Sequence, residues 1–115
     1  MIREYVLAAD GRTPVKVPHL ATDPHGYAAA MIDKHERYDW NVAKTTVGDV
    51  QVSTVFLFRD ERNQAMDPGD PECWETLVRG GTLDQECERY TSRDAAERGH
   101  QAMVQRVRDA EGQGA

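Results

Sequence analysis

The chain has few of the features that would declare its chemistry. Its two cysteines, Cys73 and Cys87, lie fourteen positions apart, outside any C-x-x-C pair and without a nearby histidine, so no zinc module is spelled. Two free thiols in a reducing compartment are the expectation, although a disulfide would remain possible if adjoining strands brought the pair together. No apolar run approaches the roughly 20 residues of a membrane span, and Val6-Leu7-Ala8-Ala9 is too short for a signal-peptide core. A cytoplasmic protein without a membrane segment is expected. Positive charge is also short: 14 Lys and Arg face 20 Asp and Glu, a net charge of −6. That balance repels the phosphate backbone and disfavours nucleic acid as a general partner. Only eight aromatics are present, two Trp, four Tyr and two Phe, and most of them are needed for a core.

What is present fits one soluble domain. At this length a single core is sustainable without disulfides or metal. Residues 2–8 and 13–17 are β-prone runs joined by Ala9-Asp10-Gly11-Arg12, a hairpin signal. Asp23-Pro24 then offers a helix cap and a first-turn proline, and Tyr27, Ala28, Met31, Ile32 and His35 recur at helical spacing, which predicts a helix over 24–37. From Asn41 the period becomes two, and Gly48-Asp49 turns residues 42–47 into a second strand over 50–59. Both faces of that strand turn apolar after Thr54, which predicts a central strand covered on both sides.

Residues 60–72 carry five acids, one arginine and Pro68-Gly69-Asp70-Pro71, and read as a surface loop. Residues 74–79 resume as a strand, Gly80-Gly81 ends it, and 86–90 returns antiparallel. Ser92 caps a last helix in which Ala96, His100, Met103, Val104 and Val107 form one stripe, ending near Ala110. The expected architecture is α+β: an antiparallel sheet made of an N-terminal hairpin plus a four-strand meander, with two helices packed on one face. Residues 1–110 form the domain and 111–115 a fraying tail. Charge divides unevenly, −1 over residues 1–58 and −5 over 59–115.

No catalytic or cofactor motif emerges. His19, His25, His35 and His100 have the residue type for proton transfer, but none sits in a motif, and the stripe position of His100 favours a hydrogen-bonded core histidine. Asp60, Asp67, Asp70 and Glu72 resemble a calcium loop in composition without its spacing, so no metal is assigned. Glu75 and Asp60 could form a carboxylate pair only if the fold brings them together. Ser53-Thr54 lacks a nucleophile elbow, and Gly80-Gly81 lacks the lysine and helix of a phosphate loop.

Several segments taken together resemble a known pattern: Val52-Ser53-Thr54-Val55-Phe56-Leu57, Glu75-Thr76-Leu77-Val78 with Gly80-Gly81, Arg89-Tyr90, and Gly99-His100 followed by Met103-Val104. They are similar to short bacteriophage- and prophage-encoded proteins whose pattern runs V-S-T-V-F-L-G-x-D, F-E-T-M-V-F-G-G, R-Y and G-H-x-x-M-V. The resemblance spans residues 42–107. This chain departs from it at Phe58, where glycine is usual, at Trp74 and at Arg79, which implies a different turn at the strand end. The resemblance implies a phage setting and no activity.

The leading expectation is a non-enzymatic interaction module acting on a host protein, such as a defence component, polymerase or nuclease. Its partner-binding residues would be Trp40 and the acidic Asp60, Glu61, Asp67, Asp70 and Glu72. A second expectation is a small enzyme or ligand binder with a pocket between sheet and helices, lined by Glu75, Tyr90 and His100. A third is a virion-associated or nucleic-acid-facing accessory role through Arg98, Arg106 and Arg108. No cofactor is expected, and monomer and dimer remain equally open.

Overall fold

The computed structural model describes residues 3–36, 40–60 and 69–112. Its elements are β1 (Arg3–Leu7), β2 (Pro14–Lys16), α1 (Pro24–Glu36), β3 (Asn41–Val47), β4 (Val50–Phe56), β5 (Arg59–Asp60), β6 (Trp74–Arg79), β7 (Cys87–Tyr90) and α2 (Arg93–Ala110). The chain is α+β, and β3-β4-β6-β7 form the four-strand antiparallel meander expected from the turns. The first hairpin does not join that sheet. It forms a second sheet of order β2-β1-β5, in which Arg3 pairs with Asp60 and Glu4 with Arg59. The two helices divide accordingly: α2 packs across all four meander strands, whereas α1 packs on β1.

The transfer between sheets occurs at Phe58. The strand expected over 50–59 breaks after Phe56, and Phe58 adopts φ +62° before the chain enters β5. That left-handed conformation costs a residue with a Cβ about 1–2 kcal/mol, and glycine very little. The phage-type pattern carries glycine here. Aromatic packing holds phenylalanine in place: its ring meets Phe56 edge-on at 4.7 Å and Trp40 at 6.3 Å, and Phe56 meets Trp74 at 5.1 Å. Tyr5 also donates its backbone N–H to the Phe58 carbonyl at 2.8 Å, which sews the turn onto β1.

The break also corrects the expectation of cover on both sides of β4. One face, Val50, Val52, Thr54 and Phe56, is buried under α2. The other face, Gln51, Ser53 and Val55, is only half-buried, and no described helix packs on it.

Local signals explain the remaining joints. Asp10 organises the first hairpin by accepting from Thr13 Oγ1 at 2.6 Å and from the N–H groups of Arg12 and Thr13. These bonds, the Thr13 hydroxyl first, hold the Asp10 carboxyl below its usual range. Arg12 then ion-pairs with Asp94 in the first turn of α2, tying hairpin tip to helix. Asp23 caps α1, its carboxylate accepting from Gly26 N–H at 2.9 Å, and Ser92 caps α2 by accepting from Ala95 N–H at 3.1 Å. At the far end of α2, Glu111 accepts from Thr82 N–H at 2.7 Å, and its carboxylate lies where a Cβ on Gly81 would fall.

The core has two apolar clusters. One joins the hairpin residues Tyr5, Val6 and Leu7 with Phe56, Phe58, Trp74 and Ala96, and Tyr27 and Met31 of α1 pack against it. The other joins Val47, Val50, Val52 and Val78 with Met103, Val104 and Val107. Replacing Phe58 should separate strain from packing. Phe58→Ala removes the ring and keeps the strained backbone, for an expected loss of about 3–5 kcal/mol. Phe58→Gly removes both and should be less damaging by about 1 kcal/mol. Urea denaturation of the two variants checks the order, and a more stable alanine variant would refute the left-handed turn.

Candidate functional site

Between the two apolar clusters lies a buried polar layer. On the α2-facing side of β4 the order is Val52, Thr54, Phe56; on β6 it is Val78, Thr76, Trp74, so the threonines pair across the strands between apolar neighbours. Thr54, Thr76 and His100 are all 0% exposed. His100, one turn after Ala96 on the buried stripe of α2, is held at both ring nitrogens: Nδ1 lies 2.8 Å from Thr54 Oγ1 and Nε2 lies 2.8 Å from Thr45 Oγ1. Thr54 and Thr76 hydroxyls are 2.5 Å apart, and Tyr90 O–H donates to Thr76 at 3.0 Å.

A neutral imidazole has one donor and one acceptor, so the layer has a natural polarity. One assignment satisfies all the partners together: Tyr90 donating to Thr76, Thr76 to Thr54, Thr54 to Nδ1 of His100, and Nε2–H to Thr45. In that assignment Thr76 and Thr54 each give and receive, an arrangement in which neighbouring bonds reinforce one another. Among the described residues no buried side-chain polar atom lacks a partner.

Burial pushes the His100 pKa below its usual 6.5, since a charged ring would be desolvated where threonine hydroxyls hold both of its nitrogens. Burial likewise raises Tyr90, against the opposing effect of its bond to Thr76. Gly99 makes the layer possible: a Cβ there would lie 2.2 Å from the Tyr90 ring, so this helical glycine is the seat of the tyrosine.

The residues expected to line a catalytic pocket therefore do not converge on one. His100 and Tyr90 belong to the internal layer. Glu75 pairs in register with Val55 and Arg89, on the opposite face of the sheet, and accepts from Arg89 Nε at 3.0 Å. Asp60 lies in the other sheet and is 1% exposed. This corrects one expectation: Asp60 is no surface residue of an acidic loop, since it lies in β5, paired with β1, and is buried. Asp70 is exposed and Glu72 half-buried, while Glu61 and Asp67, together with Tyr38 and the His35 side chain, lie outside the described residues.

Cys73 is buried and Cys87 exposed, and neither is in a disulfide. Desolvation, with Glu75 adding to it, raises the Cys87 thiol pKa, which opposes thiolate chemistry at neutral pH. Of the three arginines considered for a basic face, Arg106 is engaged by Glu86 at 3.0 Å. No cluster of three potential metal ligands occurs among the described residues, and none of the described helices is long and apolar enough to cross a membrane.

A concave site does exist, in a place that no motif announced. A groove of about 730 Å³ opens beside the small sheet and α1, lined by Arg3, Glu4, Lys16, Val17, Pro18, His19, Leu20 and Tyr27. Its volume is in the range of ligand-binding clefts. Its lining comes from the ends of β1 and β2, the connection to α1 and one helical residue, elements far apart in period and pattern. The linear signal was confined to the mixed run Lys16-Val17-Pro18-His19-Leu20, which resembles an ordinary connection. Comparison with protein-family models, with curated proteins and with solved structures finds no match for this chain.

Two measurements follow from the polar layer. Because the folded pKa of His100 lies below its unfolded value, the unfolded state binds more protons in the interval between them, so stability should fall as pH drops below about 6.5 and level off below the folded pKa. Urea titrations should show a smaller loss across that interval in His100→Gln; an equal loss in both proteins would remove His100 as the cause. Separately, Gly99→Ala should cost about 1–3 kcal/mol through overpacking, although alanine is the better helix former by about 1 kcal/mol. In a Tyr90→Ala background the same change should be neutral or stabilising, and an undiminished cost there would contradict the steric account.

Proposed function

We propose that the chain is a phage- or prophage-encoded protein-interaction module acting on a host protein in the bacterial cytoplasm, without catalysis of its own. The observation that carries this reading is the distribution of exposed apolar side chains. Among the described residues, Val15, Leu20, Ile32 and Trp40 are the large hydrophobic ones left 45–56% exposed, and all four fall between positions 15 and 40. The meander and α2 bury their apolar stripes internally, whereas the hairpin, α1 and the segment leaving it keep apolar surface toward solvent. Their concentration in one stretch of the chain supports an interaction surface on that part of the molecule.

Trp40 suits an anchoring role. Its ring edge rests on Phe58, so part of its mobility is already lost before any partner arrives, and aromatic residues of this kind dominate binding energy at interfaces. The acid-base residues weighed for an enzyme are meanwhile committed elsewhere, His100 and Tyr90 to the polar layer and Glu75 to Arg89. The groove beside α1 supports binding rather than turnover, since its lining contains no nucleophile paired with a base.

An affinity purification from a bacterial host lysate tests the reading. A host protein should be recovered in stoichiometric amount by the wild-type chain and reduced strongly by Trp40→Ala, compared at a temperature where circular dichroism shows that variant, which loses its packing on Phe58, still folded. Recovery of nothing above control at both low and moderate salt would overturn it.

A further inference from the structure

We propose that the line of hydroxyls from Tyr90 to His100 is a proton path, through which solvent loads the buried imidazole without opening the fold and reverses each hydrogen bond on the way. Four elements build it: Tyr90 on β7, Thr76 on β6, Thr54 on β4 and His100 on α2, at successive separations of 3.0, 2.5 and 2.8 Å. The bond from the ring to Thr45 anchors its inner end on β3. His100, Thr54 and Thr76 are fully buried, but the outer end is not. Tyr90 and Gly99 are both half-buried, and a Cβ on Gly99 would lie 2.3 Å from the Tyr90 hydroxyl oxygen. The phenol end therefore sits over helix backbone that carries no side chain to cap it, and the line ends where solvent reaches.

The tautomer selects the route. With Nε2–H donated to Thr45, the basic lone pair is on Nδ1 and accepts from Thr54, so an entering proton arrives through Thr54 rather than Thr45. The step balances along the line. A hydronium ion gives a proton to Tyr90 Oη and leaves as water; the phenolic proton passes to Thr76, the Thr76 proton to Thr54, and the Thr54 proton to Nδ1. Each O–H bond broken within the protein is replaced by one formed, and the ring gains one N–H. No side chain has to rotate, because every proton crosses a hydrogen bond already in place. Afterwards Nδ1–H donates to Thr54, Thr54 to Thr76 and Thr76 to Tyr90, whose new proton points outward. The imidazolium needs two acceptors, and Thr54 and Thr45 supply both.

What the charged ring lacks is a counter-ion. From β3, β4 and β6 it meets Thr45, Thr54 and Thr76, whereas Lys44, Glu75, Cys87 and Arg89 lie on the opposite face of the sheet. Strand β7 brings Tyr90 and the exposed Glu88 to the side of α2, and Glu86 just before it is engaged by Arg106. On α2 itself the neighbouring Glu97 and Arg98 are exposed. Burial is accordingly the cause that lowers the pKa of the ring. The path therefore loads on the acid side of an ordinary histidine, and its output is at the surface: the Tyr90 hydroxyl donates inward above the transition and outward below it.

The test is long-range ¹H–¹⁵N correlation of the histidine rings in the ¹⁵N-labelled full chain, titrated downward from neutral pH and followed beside the backbone amide spectrum. The His100 Nδ1 resonance should move to its protonated position as one averaged signal while the native amide pattern persists, because loading does not wait for the fold to open. Tyr90→Phe and Thr76→Val interrupt the line at nearly constant volume. After loading, the first leaves the Thr76 hydroxyl without its acceptor and the second does the same to Thr54. Each variant should therefore need a roughly tenfold higher proton concentration to charge the ring, and should show separate neutral and charged signals in place of the averaged one. Folded variants that lose stability but keep the wild-type midpoint and averaged signal would overturn the proposal, since a purely structural layer predicts that result. A wild-type Nδ1 signal that changes only as the native amides disappear, or that splits into slowly exchanging forms, would also overturn it. Should both variants fail to fold, the wild-type signal alone decides between these outcomes.

Discussion

The line of hydrogen bonds from Tyr90 through Thr76 and Thr54 to His100 and Thr45 is the constraint on which the meander depends. Apolar contacts alone would let α2 slide or rotate over the sheet, since Val52, Val78, Met103 and Val107 offer broad surfaces without direction. A histidine that must satisfy both ring nitrogens permits one azimuth and one height. The cost of error is large, because each buried hydroxyl or ring nitrogen left unpaired forfeits about 1–3 kcal/mol. The layer thus fixes helix position while the clusters on either side supply most of the burial. It also commits His100 and Tyr90, two residues suited to acid-base chemistry, to hydrogen bonds inside the fold.

A second joint determines which surface that is. The left-handed turn at Phe58 takes the chain out of the meander and into β5, and β5 captures the N-terminal hairpin as a separate small sheet. Arg12 and Asp94 close the arrangement from the other side by pairing hairpin tip with the start of α2. Only α1 covers the small sheet among the described helices, and it does so through β1, with Ile32 directed away from the core. The hairpin end of the molecule therefore retains a groove and unburied apolar side chains, whereas the meander end, locked by α2, retains few.

Much of this was legible in the linear sequence, and the reasons are physical. Turn chemistry at Gly48-Asp49 and Gly80-Gly81 with period-two patterning placed the meander strands, and Asp23 and Ser92 placed both helix starts, because these signals act over a few residues. The position of His100 on the stripe of α2 correctly read as core. Long-range pairing was not legible: nothing local distinguishes a hairpin that extends the meander from one that pairs with Arg59 and Asp60. For the same reason Asp60, in an acidic run, resembled loop surface although β5 buries it. The motif segments Ser53-Thr54, Glu75-Thr76, Arg89-Tyr90 and Gly99-His100 looked like separate fragments. In three dimensions Thr54, Thr76, Tyr90, Gly99 and His100 meet in one layer, a convergence that requires the sheet register to be known. The groove leaves no linear signal because its lining comes from three short stretches, 3–4, 16–20 and Tyr27, with no shared period.

The structural role of the polar layer turns on the state of one imidazole, that of His100. Long-range ¹H–¹⁵N correlation of the His100 ring measures that state directly. A neutral ring in the Nε2–H tautomer, with Nδ1 unprotonated and no titration through the range in which a free imidazole becomes charged, is the predicted result. A ring that exchanges between tautomers and protonates like a free imidazole would contradict the account, because such a histidine would be solvent-accessible and available for catalysis.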